Sequence, residues 1–417
     1  MITLYDGLSP ELKLLVLAIR HVTRNGGRLH FCSRNTLVDP VFARTGSTQE
    51  TVYGQNVDQI PEVDPKTLLS MAAKHRMRPI LLEFDRHAGF LTASDRTRLE
   101  AIQMVQVRQS LFQIHALQQV IQELSKHDID LIPMKGNLLV QEIYGNHQLR
   151  EMGDIDLLLK CDQVVEAVQV LKQLGYALRS DVYPQADRYQ DELVHNLVAS
   201  PYQSELPLSN GGISLDVHWG IAQPHFGLPL NPEGLFDRAE KRAFFGAPAL
   251  MPSLTDTWWM TMIHHGGKEF WKNLRHLLEL DLFEQHLTAK SQETVEIRNQ
   301  LARESYLTDS LTFGKALITE LLDGRPALSR KHRKRVQHHL LPLWQSETLQ
   351  NSRNYWFHEI PMRWYSRPSI WKQVRLIPDV IRTRIDTDRQ IRYPEPFGPV
   401  KILIKATKLA GKIARAD

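Results

Sequence analysis

The sequence predicts an α+β protein in which a small sheet with helices lies between two helical regions. Three observations carry this expectation. Apolar residues recur at helical spacing through most of residues 1–127 and again after 251. Between them the chain switches to short apolar runs of strand length, alternating with helical segments. A turn signal, Ser209-Asn210-Gly211-Gly212, then precedes an alternating stretch and adds a hairpin. The expected division is a helical region 1–127, a core 128–250, a helical region 251–330 that completes the cleft, and a C-terminal extension 331–417.

Residues 9–24 and 65–83 read as helices, with a Ser/Thr/Asn/Gly/Pro-rich loop over 33–60. A long helix from Ser94 to His127 carries a stripe that includes Leu99, Ile102, Leu117 and Leu124. At Asp128 the pattern changes. Ile129 to Met134 reads as a strand, and Lys135-Gly136-Asn137 turns the chain into a helix ending at Tyr144. After a loop over 145–153 comes the strand containing Ile155 to Leu159. Asp162 is placed to cap the next helix, which ends near Leu174-Gly175. Tyr176–Arg179, Leu193–Ala199 and Ile213–Ile221 read as strands.

Beyond Pro252, Ser253-Leu-Thr-Asp256 resembles a capping box, and two helical segments reach about residue 325, divided near Lys290. The basic run 330–335 reads as a solvated helix face. The tail 401–416 reads as a basic amphipathic helix. Packing on the core is the preferred role, with a partner or an anionic membrane surface as alternatives.

A chain of 417 residues can bury a large core, and 42% apolar with 24% charged residues is ordinary globular composition. The net charge of +4 suits an anionic substrate but is too weak to argue for nucleic acid. Cys32 and Cys161 have no metal-binding spacing and read as reduced thiols of a cytoplasmic protein. Neither a signal peptide nor an apolar run long enough to span a membrane is expected.

The chemistry is concentrated in Asp154 and Asp156. On a strand they share one face, and two carboxylates side by side repel unless a cation lies between them. Asp216 lies in a second alternating strand, where Ser214, Asp216 and His218 face one way and Leu215, Val217 and Trp219 the other. If the strands are neighbours, three acids converge and can hold two Mg²⁺ ions, or Mn²⁺, for in-line attack on phosphorus. Lys135, Gly136 and Asn137 open a helix after a strand, where free N–H groups, a close backbone approach and an ammonium all attract phosphate. An ordinary strand-to-helix turn is the rival reading. Arg150 could reach the same phosphates with its planar fork.

Met134-Lys-Gly136, a helix with Tyr144, Arg150-x-x-Gly153-Asp154-Ile-Asp156-Leu-Leu and Leu215-Asp-Val-His-Trp219 together resemble an uncharacterised bacterial nucleotidyltransferase family of the DNA polymerase β-like superfamily. The resemblance extends through His264-His-Gly-Gly-Lys268 to Arg275 and covers roughly residues 65–285. It implies a polymerase β-like core with Asp154, Asp156 and Asp216 as metal-binding acids. It also implies transfer of a nucleoside monophosphate from an NTP, such as ATP, to a small-molecule, peptide or protein acceptor. Two departures stand out. Asn137 occupies a position where the superfamily has serine, and Glu279 one where relatives commonly have aspartate.

Lys268 and Arg275 recur at helical spacings from His264 and could line the triphosphate side or simply be solvated. His264 and His265, adjacent on a helix, should point apart and are read as structural. His218 either assists the acceptor or bonds to a carboxylate. Trp219, Trp258, Trp259 and Trp271 are read as packing anchors. A metal-dependent glycosyltransferase and a non-catalytic nucleotide-binding scaffold are the rival functions. The Lys-Gly turn and the acid on a later strand disfavour the first, and three intact acids the second.

Overall fold

Five strands form a mixed sheet in the order β1-β2-β5-β4-β3. The structure, a computed structural model, describes residues 4–24, 61–288, 292–346 and 377–392. The loop expected over 33–60, Cys32 and the tail 401–416 lie outside the described residues. The strands are β1 (Leu131–Met134), β2 (Ile155–Leu159), β3 (Ala177–Leu178), β4 (Glu205–Ser209) and β5 (Ser214–His218). β2 pairs antiparallel with β1 and parallel with β5, in a register that sets Asp156 opposite Asp216. The expected convergence of these two acids therefore follows from pairing of neighbouring strands. Leu206, Leu208, Leu215 and Val217 are fully buried and alternate with the polar residues of β4 and β5.

Helices surround this sheet: α1 (Pro10–Arg24), α2 (Pro65–Lys74), α3 (Arg78–Ala88) and α4 (Ala93–Ser125) precede it. Within the core come α5 (Lys135–Leu139), α6 (Val164–Gln173), α7 (Ala186–Ala199) and α8 (Glu233–Arg238). Then follow α9 (Leu254–Met262), α10 (Leu274–Thr288), α11 (Gln292–Glu304), α12 (Thr308–Leu321), α13 (Arg330–Arg335), α14 (Leu341–Gln345) and α15 (Ile377–Arg392). One apolar cluster runs from Leu4 to Trp344 and joins the flanking helices to the sheet. No helix of the described residues is long and apolar enough to cross a membrane.

Several elements differ from the expectation for identifiable reasons. Leu193–Ala199 is the end of α7, not a strand; Leu193, Val194 and Leu197 are its buried residues, at helical spacing. The strand that pairs with β5 across the Asn210-Gly211 turn is β4 instead. Pro207 made that segment look unlike a strand. Its carbonyl accepts from Arg179 N–H, so its donor-less nitrogen points to the same outer side, where β3 is only two residues long. Helix 65–83 breaks at His75-Arg76-Met77, and the helix ending at Tyr144 widens into a π-helical turn over Val140–Tyr144. Asp162 makes no cap bond; α6 is capped by Gln163 without a side-chain bond.

An unexpected hairpin, β6 (Glu240–Phe244) with β7 (Ala247–Met251), turns on Phe245-Gly246, both at positive φ. The segment after residue 251 also breaks between Lys268 and Leu274 and again between Glu304 and Thr308, while the division expected near Lys290 lies outside the described residues. Ser253 does cap α9, accepting from Asp256 N–H. The basic run 330–335 forms α13 and is only partly the solvated face expected: Arg335 is buried, and Arg333 makes a two-pronged bond to the buried Glu320 at 2.7 and 3.1 Å.

Leu215 sits in the apolar layer directly beneath the acidic face. Leu215→Ala should lower the free energy of unfolding by about 2–5 kcal/mol in a urea titration. A loss well under 1 kcal/mol would mean that β5 is not a central, packed strand.

Candidate functional site

The polar face of the sheet is built from adjacent strands in register. β2 supplies Asp156, and β5 supplies Asp216 and His218. Ligand atoms of these three residues lie within 4.8 Å of one another. Asp154 precedes β2 and is exposed at its rim, close enough for its charge to act on Asp216. β4 adds Glu205, which is paired with His218 in the sheet. Sequence reading missed Glu205 because it missed β4; the alternation Glu205-Leu206-Pro207-Leu208 was the available signal.

Asp156 is buried and has two cationic partners. Lys135 Nζ lies 2.5 Å from Oδ1, and His218 donates its Nε2–H to the same oxygen at 2.9 Å. Burial alone would raise the Asp156 pKa, but Lys135 and His218 outweigh it and hold the carboxyl at about 2. Lys135 reaches inward from a left-handed backbone, φ 44°, at the joint between β1 and α5. Burial pushes its pKa down, while Asp156 and Glu205 carry it well above the ordinary lysine value. His218 is fully enclosed, with Glu205 Oε2 3.1 Å from its Nδ1, near enough for attraction but not aligned as a hydrogen bond. Burial and Lys135 oppose its protonation, and the two carboxylates raise its pKa regardless.

Asp216 is different. Its Oδ1 is buried with no hydrogen-bond partner. Burial first, then the charges of Asp154 and Asp156, lift its pKa to about 7. A carboxyl in that state is ready to exchange its proton for a cation. Asp156 and Asp216, with one oxygen left unsatisfied, offer the oxygen ligands a divalent ion takes, while Asp154 stands outside the group whose ligand atoms come together. His218 is better satisfied between Asp156 and Glu205 than as a ligand.

Gly136 marks a close approach. A Cβ there would meet Met152 Cε at 3.0 Å, the Asp154 carbonyl at 3.6 Å and Arg150 Nη1 at 3.7 Å. Asn137 is buried and its Oδ1 has no partner. Lys268 faces the acids from the π-helical turn Ile263–Lys268, with Nζ 3.9 Å from Glu205 Oε2 and 5.6 Å from the Phe226 ring centroid. Burial lowers its pKa more than Glu205 restores it.

Arg150 and Arg275, expected along the triphosphate, are instead buried on Glu279. Arg150 Nε donates to Glu279 Oε1 at 3.0 Å, as does Tyr144 Oη. Arg275 Nε stands 3.6 Å from that oxygen, too far for a hydrogen bond, while its Nη1 donates to the Glu151 carbonyl at 3.2 Å. His265 Nε2 donates to Glu279 Oε2 at 2.5 Å. With burial keeping His265 neutral, its Nδ1 must accept, so His264 Nδ1–H is the donor in their 3.0 Å contact. These adjacent histidines meet rather than point apart because they lie on a π-helical turn. Glu279 is fully buried, and Arg150 and Arg275 keep it ionised far below the usual glutamate range although burial opposes them. Trp258, Trp259, Trp271 and Trp219 are buried; Trp259 donates to Ser305 Oγ at 2.6 Å and Trp271 to the Ser310 carbonyl at 3.0 Å.

A family model described as uncharacterised nucleotidyltransferase matches residues 61–323. No curated protein matches the chain.

Two outcomes follow from the electrostatics. Asp216 binds a proton in the folded state up to about pH 7, which the unfolded chain releases near its ordinary carboxyl pKa. Stability without divalent ions should therefore fall as pH rises between about 4 and 7 and level off above it. Asp216→Asn should remove that decline in melting temperature; an unchanged profile would show that Asp216 is not the responsible group. Glu279→Ala strands two buried guanidinium groups and should cost about 3–5 kcal/mol in chemical denaturation.

Proposed function

The chain belongs to this nucleotidyltransferase family, and on that premise we propose that it moves a nucleoside monophosphate from an NTP to an acceptor with release of pyrophosphate. The acceptor is a small molecule, a peptide or a protein. The observation that carries the reading is the register of β2 against β5, which faces Asp156 with Asp216 and leaves a buried Asp216 oxygen without a hydrogen-bond partner.

Asp154, Asp156 and Asp216 would hold Mg²⁺, two ions in the full site, with Mn²⁺ as a substitute. Bound there, the metal supplies activation of the acceptor oxygen and neutralisation of phosphate charge. The chain's own residues do the rest. Lys135 sits on Asp156 and is within reach of phosphates once that carboxylate is otherwise occupied. Gly136 keeps the turn open where a Cβ would crowd the Met152 methyl at 3.0 Å, and Asn137 brings an unpartnered amide oxygen to the same turn. Lys268 adds a second ammonium from the opposite wall, beside Glu205. Arg150 and Arg275 act through Glu279: they fix the floor under Gly136 and the turn that carries Lys268. No protein nucleophile is required, because the acceptor attacks the α-phosphorus and pyrophosphate leaves. The basic balance of +4 and the anionic substrate agree in sign.

Incubating the protein with labelled NTPs, Mg²⁺ and cell extract, followed by mass identification of the labelled product, tests the reading. Asp156→Ala, and the isosteric Asp156→Asn, should reduce transfer by about 10³-fold or more, with the circular dichroism spectrum retained. Full turnover by either folded variant would remove Asp156 from the machinery and with it this assignment.

A further inference from the structure

The geometry points to Arg76, between α2 and α3, as a ligand for phosphate oxygens of the nucleotide substrate. This assignment rests on the nucleotidyl-transfer reading and adds to it a residue from the N-terminal helical region.

Arg76 occupies a position normally given to glycine. α2 ends in a Schellman turn: Met77 N–H donates to the Ala72 carbonyl at 2.7 Å and Arg76 N–H to the Ala73 carbonyl at 3.0 Å. Arg76 is the left-handed residue of that turn, φ 53°. A side chain at such a position carries a steric penalty that glycine would avoid.

Every neighbour of Arg76 is fixed. His75 is fully buried; its Nε2 contacts the Trp344 carbonyl at 3.0 Å, and its Nδ1 accepts from Leu274 N–H at 3.2 Å. Met77 is fully buried. Arg78 is clamped to Glu151, through Nε at 3.0 Å and Nη2 at 2.6 Å. That clamp ties the α2–α3 turn to the 150–153 segment leading into Asp154. Arg76 alone is exposed, and no acid among the described residues pairs with it.

Its guanidinium is nevertheless aimed. Nη1 lies 3.5 Å from the place where a Cβ of Gly153 would stand, next to the metal-binding Asp154. Gly153 leaves that space open, and its carbonyl is held by the Gln113 side chain. A Cβ at Gly136 would stand 3.6 Å from the Asp154 carbonyl and 3.7 Å from Arg150 Nη1, so two glycines leave room beside the Asp154 backbone. Arg78 is answered by Glu151 and Arg150 by Glu279, whereas a buried Arg275 Nε–H has no partner and Arg76 is paired with no acid among the described residues. An anion of several oxygens beside Asp154, such as a polyphosphate, balances this charge and matches the planar fork of Arg76.

The test uses the full-length protein and isothermal titration with Mg²⁺ and each of the four NTPs, and separately with inorganic tripolyphosphate. Arg76→Gly removes the fork and suits the left-handed backbone, so stability and binding should move in opposite directions. Its melting temperature should be unchanged or slightly raised, while affinity for the preferred NTP falls roughly tenfold to hundredfold. Arg76→Lys should bind at an intermediate level. Wild-type affinity in a folded Arg76→Gly, or a marked fall in its melting temperature, would overturn the role given to Arg76. Arg76-dependent binding of tripolyphosphate without binding of any NTP would uphold the anion site and sink the nucleotide reading. Binding of neither by the wild-type protein would sink both.

Discussion

Two carboxylates facing each other on adjacent parallel strands are an arrangement that a folded chain must actively support. Asp156 and Asp216 are in that position, and their mutual repulsion in a partly dry environment organises the surrounding residues. Asp156 remains ionised because Lys135 and His218 both bond to it. Asp216 Oδ1 has no hydrogen-bond partner, and burial with the charges of Asp154 and Asp156 outweighs the attraction of His218 and lifts its pKa to about 7. This asymmetry sets Asp216 apart from the bonded group of Asp156, Lys135 and His218. The fold provides the rigidity: the apolar residues beneath the two strands are almost fully buried, so neither acid can relax away from the other.

A second buried carboxylate, Glu279, connects the site to the helical regions. It gathers Tyr144 and Arg150 from the core with His265 and Arg275 from α10 and the turn before it. Burying one anion among several cations is costly unless the geometry is good. Here the bonds converge on both oxygens. Its effect is to fix the floor beneath Gly136 and the turn carrying Lys268 relative to the sheet. A flexible surface pair could not do this, because exposed ion pairs contribute little and hold no fixed geometry. The glutamate side chain is long enough for one of its oxygens to accept from both Arg150 and Tyr144.

Much of this was legible in the sequence where a pattern repeats along the chain. The long helix, the Asp156 and Asp216 strands and the Lys135-Gly136 turn all follow from local periodicity and turn chemistry. The errors had local causes as well. Pro207 hid β4, and valines at 194 and 198 made the end of α7 resemble a strand. Glu205 was lost with β4. Adjacent His264 and His265 were expected to diverge, as on an α-helix, but a π-helical turn brings their rings together.

The sequence alone determined which residues could share a face: alternation puts Asp216 with His218, because strand geometry repeats every two residues, whereas Asp154, expected on one face with Asp156, lies just before β2 and is exposed at its rim. Only the tertiary structure decided who meets whom across the chain. Arg150 looked like a phosphate ligand until Glu279, 129 residues away, proved to be its partner. Arg76 looked like an ordinary residue inside a helix until the break at His75 turned it toward Gly153. The physical reason is that electrostatic and hydrogen-bond energies depend on distance through space, whereas spacing along the chain fixes only the direction in which a side chain leaves its own element.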